Sequence, residues 1–141
     1  MAGLRDAGEA KDTLTINIKK PRADMEDFSN PDGSPVTITV YGPFSEHYRK
    51  TRRALERELA EGKGVMTDAQ REEAVDMLMR RTLERCVKDW NFTLDSGPKA
   101  QKEPFAPEKV SDIFAEMPWL YEQVEAQFWD NSNFLGKPEK G

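Results

Sequence analysis

The chain has 141 residues, enough for one hydrophobic core and too few for two. Hydrophobic residues make up 37% and charged residues 33%, so the core must be lean and much of the chain solvated. A formal net charge of −5 argues against general binding to nucleic acid or to an anionic membrane surface, both of which need a basic surplus.

No run approaches the ~18 apolar residues of a membrane helix. The N-terminal stretch "MAGLRDAGEAKD" lacks the apolar region of a signal peptide. The single cysteine, Cys86, leaves no internal disulfide and fits a reducing cytoplasm. A soluble, intracellular protein is expected.

Residues 1–12 are small and charged and are expected to form a disordered leader. "TLTINIK" then alternates, with Leu14, Ile16 and Ile18 on one face, which predicts a half-buried strand. Asn30-Pro31-Asp32-Gly33 predicts a turn, because proline presets φ and Gly33 tolerates a positive φ. "VTITVY" is the second strand and is expected to pair with the first. Two strands alone are marginal in water and need helices over their apolar face.

Ser45 is a plausible N-cap for a first helix whose stripe is Tyr48, Thr51 or Arg52, Leu55 and Leu59, with Gly62 and Gly64 as stops. Thr67-Asp68-Ala69-Gln70 is a capping-box pattern opening a second helix. Val75, Leu78, Met79, Thr82, Cys86, Val87 and Trp90 recur at three- and four-residue spacing and carry that helix to Trp90. Asp76–Arg80 and Glu84–Lys88 are expected i,i+4 pairs on its outside. The two helices should form an antiparallel hairpin.

After an irregular segment holding Gly97, Pro98, Pro104 and Pro107, a third helix turns Val110, Ile113, Phe114 and Met117 inward. Pro118 restarts a fourth, because proline is tolerated at a helix's first position and not inside it. Its stripe is Leu120, Val124 and Phe128, and residues 131–141 are expected to form a flexible polar tail. The expected fold is mainly α (α+β): a two-stranded β-hairpin over 13–42, packed on about four helices within 43–130, as a single domain spanning 13–130.

Catalytic chemistry finds little purchase. His47 is the only histidine, Cys86 lies on a buried helical stripe, and no third residue is placed to orient a Cys–His pair. No ligand spacing suggests zinc. The carboxylate pairs Glu72–Asp76 and Asp112–Glu116 fall on faces that read as solvated. "EGKGVMT" is not a Walker loop, since Gly64 follows Lys63 where Ser or Thr is required. The basic run Arg49, Lys50, Arg52, Arg53 and Arg57 is diluted by Glu56, Glu58 and Glu61 and reads as a solvated face. The chain reads as no enzyme, with no cofactor and no metal.

The C-terminal stretch stands out instead, holding Trp119 and Trp129 of the three tryptophans. Ten residues separate them, about 1000° of helix or about 280° after whole turns. They cannot both share the stripe of Leu120, Val124 and Phe128, so one should lie outside it. Trp119, Leu120, Tyr121, Trp129, Phe134 and Leu135 are the candidate partner-binding residues.

Two stretches resemble a known family. "VTITVYGPFSEHYRKTRRA" is similar to the strand–Gly–(Asp)–Ser–x–x–Tyr–Arg entry of the tail assembly chaperones of long-tailed bacteriophages. The second half resembles theirs in order: Trp90 closing the long helix, a Gly/Pro loop, a Pro-Phe-x-x-Glu helix start, a Pro-Trp-Leu-x-x-Gln-Val helix and an Asn-Phe end. The likeness covers roughly residues 13–134. Phe44 departs from it, standing where the family often has an acidic residue before the serine.

The resemblance implies a non-catalytic protein that binds the long helical tape measure protein and keeps it soluble until tail-tube subunits polymerise around it. It implies the cytoplasm of the infected bacterial host and absence from the mature virion. It also implies a longer product, made by frameshifting near the end of the frame, that recruits tube protein; Gly136-Lys137 is a place where such a slip could be encoded. Membrane is not an expected partner, and nucleic acid is not expected either. The rival readings are a structural virion component, such as a head–tail joining protein, and a small nucleic-acid-binding regulator using Arg49, Arg52, Arg53 and Arg57.

Overall fold

Alternating side chains build the sheet as expected, and a third strand joins it. The computed structural model describes residues 9–21, 26–61, 64, 66–95, 97 and 100–135. Strands β1 (Thr13–Asn17) and β2 (Thr37–Tyr41) pair antiparallel with Ile16 opposite Ile38, which sends Ile16, Ile38 and Val40 into the core. Thr15 and Thr39 face outward and share a hydroxyl hydrogen bond of 3.0 Å. The turn before β2 forms as read: Gly33 has φ +89°, and its N–H donates to the Asn30 carbonyl at 2.9 Å.

Helix α1 (Glu46–Ala60) starts at Ser45, whose hydroxyl accepts from the Tyr48 N–H (3.1 Å) and donates to the Gly42 carbonyl (2.6 Å). Helix α2 (Asp68–Arg85) starts at the capping box, both bonds of which form between Thr67 and Gln70. The helices run antiparallel, with His47 near the start of α1 hydrogen-bonded to the carbonyl of Arg85 at the end of α2 (2.9 Å).

Contrary to the expected run to Trp90, α2 stops at Arg85 and the chain enters β3 (Val87–Asn91), antiparallel to β2. The three-residue spacing of Val87 and Trp90 mimics a helix turn. In the sheet it comes from a bulge, where pairing steps from Thr39–Asp89 to Val40–Val87. The extra residue puts Val87 and Trp90 both in the core despite their odd separation. Lys88 is therefore a strand residue and cannot be the i,i+4 partner of Glu84. Glu84 instead takes Arg80 (3.3 Å), and the expected Asp76–Arg80 pair does not form.

A 3-10 turn (Pro107–Lys109) leads into α3 (Val110–Glu116), and Pro118 opens α4 (Pro118–Phe128). Val110, Ile113, Phe114, Leu120, Val124 and Phe128 are buried against the apolar side of the three-stranded sheet, ordered β1-β2-β3. The fold is mixed α+β and mainly helical.

The ordered unit reaches further at both ends than 13–130. Asn131–Phe134 form a 3-10 turn and Phe134 is fully buried. The Phe134 carbonyl accepts from the Lys11 N–H (2.6 Å), the Asp12 carbonyl accepts from the Gly42 N–H (2.7 Å), and Ala10 bridges to Leu135. Gly42 is required there, because a Cβ would overlap the Phe134 ring. The rest of the expected leader and tail, including Gly136-Lys137, lies outside the described residues.

Candidate partner-binding site

The six candidate residues do not form one patch. Leu120 is 3% exposed and Phe134 is fully enclosed, so both are core residues and neither can meet a partner while the fold is intact. For Leu120 the cause is its place on the stripe with Val124 and Phe128. For Phe134 it is the turn after α4, which folds the ring back onto Gly42 and Phe128. Leu135 is exposed, at the far end of the molecule's terminal bridge.

Neither tryptophan stands free. Both lie off the α4 stripe, and each is half-buried by another element. Trp129 packs edge-on against Phe128 (4.7 Å between ring centres) and Tyr48 of α1 (6.5 Å), which seals that end of α4. Its indole N–H is enclosed and has no hydrogen-bond partner. Tyr121 lies elsewhere, edge-on to Phe114 and under the Arg80 guanidinium, 4.6 Å from the ring centre. Burial first, then a hydrogen bond to Glu125, pushes its hydroxyl up to about 12.

Trp119 is different. Its ring stacks on Phe28 at 6.3 Å and 11° and forms a wall of an open cavity of about 220 Å³. Pro31, Phe92, Leu94, Met117 and Leu120 also line it, together with the polar Ser29, Asn30 and Thr93. Leu94 is 42% exposed at the rim, so the cavity offers solvent-facing apolar surface shaped to take an inserted side chain. Sequence reasoning found Trp119 and missed Phe28, Pro31 and Leu94. They stand singly in irregular segments where no periodicity marks them, and the one local signal is an apolar residue inside a turn-rich stretch. The rim turn is held by Asp32, whose carboxylate accepts from the Ser34 hydroxyl (2.6 Å) and N–H (2.9 Å) and pairs with Lys102 (3.1 Å). The Ser34 bonds first, and then Lys102, lower its carboxyl to about 2.

The titratable groups singled out in the sequence are apart or buried. Cys86 is enclosed, and burial pushes its thiol up to about 12, which keeps it a protonated core group. His47 stacks on Tyr41 at 4.0 Å beside a second, larger cavity of about 470 Å³ lined also by Arg85, Lys88, Phe105 and Glu108. Glu72, Asp76, Asp112 and Glu116 are exposed on helix surfaces. Among the described residues no group of three or more His, Cys, Asp or Glu side chains could hold a metal ion. Among them, too, no helix is long and apolar enough to cross a membrane.

The residues that carry the family resemblance hold the fold. Gly42 admits Phe134, Ser45 caps α1, and the Trp90 indole N–H donates to the Glu103 carbonyl at 2.8 Å. Gln123 spans the outer edge of the β1 extension: its carbonyl accepts from the Lys19 N–H (2.8 Å) and its amide donates to the Lys19 carbonyl (2.9 Å). No family model, no curated protein and no solved structure matches the chain.

Proposed function

We propose that the chain is a tail assembly chaperone of a long-tailed bacteriophage, holding the tape measure protein soluble in the host cytoplasm until tube subunits polymerise around it. One observation carries the reading: the order and spacing of the family-like motifs over residues 13–134. Two physical features support it. An apolar cavity walled by Trp119 and Phe28 suits a hydrophobic side chain of a client helix, the helix-in-groove mode of recognition. A body with net charge −5 keeps such a complex dispersed. A longer frameshifted product that recruits tube protein belongs to the same reading.

Co-expression with a tape measure protein of a long-tailed phage tests the reading. The soluble fraction of the tape measure rises when the chain is present and falls back with Trp119→Ala. An equally insoluble tape measure with and without the chain overturns it. Recovery of the chain from purified virions by mass spectrometry would favour a structural virion component instead.

A further inference from the structure

The apolar stripe of α2 outruns the core that covers it. Thr82, Leu83 and Cys86 are buried on one face of the helix. Val75 and Met79, one to two turns earlier on that same face, are 47% and 37% exposed. No described element covers them, and the stripe continues as an open shelf towards the tip of the α1–α2 hairpin. Met77 does not belong to the shelf: it lies on another side of α2, over a small cavity shared with Leu55 and Leu59.

The border of the shelf is charged. Asp68, Glu72 and Asp76 recur at four-residue spacing beside Val75 and Met79, and all are exposed. Arg80 could have paired with Asp76, but it is taken by Glu84 and lies over Tyr121. None of these acids has an ion-pair partner among the described residues, although other acids on the hairpin do: Glu46 with Lys50, Glu56 with Arg52, and Glu58 with Arg85. Arg71 is the single cation on the opposite border.

We infer that this shelf docks an amphipathic helix whose apolar stripe is bordered by lysine or arginine at four-residue spacing. The match is geometric and electrostatic. A helix laid along α2 brings cations into register with Asp68, Glu72 and Asp76 and covers Val75 and Met79. A flexible methionine adapts to the side chains it meets. The acids repel phosphate, so neither nucleic acid nor an anionic membrane fits the shelf. A second copy of the chain fits it poorly. The exposed Arg49, Arg53 and Arg57 of α1 have matching spacing but no large apolar neighbour on their face, since Tyr48, Leu55 and Leu59 turn inward. Such a contact would satisfy the charges and leave Val75 and Met79 wet. The inference deepens the chaperone reading and rests on it only for which protein supplies the helix.

The test uses the full chain and two labelled synthetic helices with the same apolar stripe, one bordered by lysine and one by glutamate, titrated by fluorescence anisotropy. The lysine-bordered helix binds about tenfold more tightly at low salt, and the gap narrows as salt screens the border. Met79→Ser with Val75→Ser weakens both helices about tenfold. Glu72→Lys with Asp76→Lys, both at exposed positions and checked for an unchanged unfolding midpoint, reverses the preference. Equal binding of the two helices, or an unchanged preference in the charge-reversed variant, overturns the inference. So does a dimer in sedimentation that Met79→Ser dissociates. These outcomes are independent of whether tape measure solubility responds to the chain.

Discussion

The two ends of α4 carry the same side chain and meet opposite fates. At one end Trp129 is clamped edge-on by Phe128 and by Tyr48 from α1, with Phe134 folded in beneath Phe128. At the other, Trp119 has one stacked neighbour, Phe28, and an open cavity beside it. Aromatic content therefore does not distinguish a core from a grip. What distinguishes them is whether a distant part of the chain arrives to close the ring: α1 and the terminal turn do so for Trp129, while only loops reach Trp119.

Breaking the closed end should have the largest effect. Phe134→Ala removes a fully enclosed ring beside Gly42 and Phe128 and is expected to cost about 3–5 kcal/mol in denaturant unfolding. A loss under about 1 kcal/mol would mean that the terminal turn does not close this end. Next comes the pair Trp129→Ala and Trp119→Ala, compared in one assay. Half-burial scales both below Phe134, and Trp129, with two edge-on contacts, should lose about 1 kcal/mol more stability than Trp119. Binding of the proposed client should rank them the other way, with Trp119→Ala losing most. Equal ranks in both assays would erase the distinction between the two ends.

A smaller effect tests how α4 is anchored to the sheet. Gln123 satisfies both backbone groups of Lys19, so Gln123→Ala leaves one donor and one acceptor half-buried and should cost about 1–2 kcal/mol. Hydrogen exchange should quicken at the Lys19 amide and stay slow at Val40 in the sheet centre. Quickening at both would place Gln123's role in the whole sheet and not at its edge.

How legible this was in the sequence follows from where each constraint comes from. β1, β2, the Ser45 cap, the Thr67–Gln70 box and the Pro118 start depend on residues a few positions apart, and all form as read. β3 was hidden because a bulge gives a strand the spacing of a helix. The Arg80 pairing was misread, since Asp76 and Glu84 are each four residues away and the sequence hides that β3 takes Lys88 away from Glu84. Phe134 looked like part of a polar tail because its partner is a glycine far back in the chain. The cavity is the extreme case: Phe28, Leu94 and Trp119 come from three separate segments, so no local pattern records it.

The smallest expected effect separates the two ends by pH. The turn that carries Pro31 to the cavity rim is tied by Asp32 to Ser34 and Lys102, and these bonds lower the carboxyl from 3.8 to about 2. A depressed carboxyl stabilises the fold above its ordinary pKa, and that contribution is lost as pH falls from about 4 towards 2. The group is solvent-exposed, so the consequence is local and does not extend to global unfolding. At the Trp129 end Asp130 accepts from the Ser132 hydroxyl (2.6 Å) and N–H (3.1 Å) in the same way, but it has no lysine partner among the described residues. In a pH titration followed by NMR, the Trp119 indole resonance should shift over this window, and Asp32→Asn should remove that shift without altering the Trp129 resonance. If both indoles move together in the unmodified chain and still do so in Asp32→Asn, acid acts on the whole core, and the two ends of α4 are not independently closed.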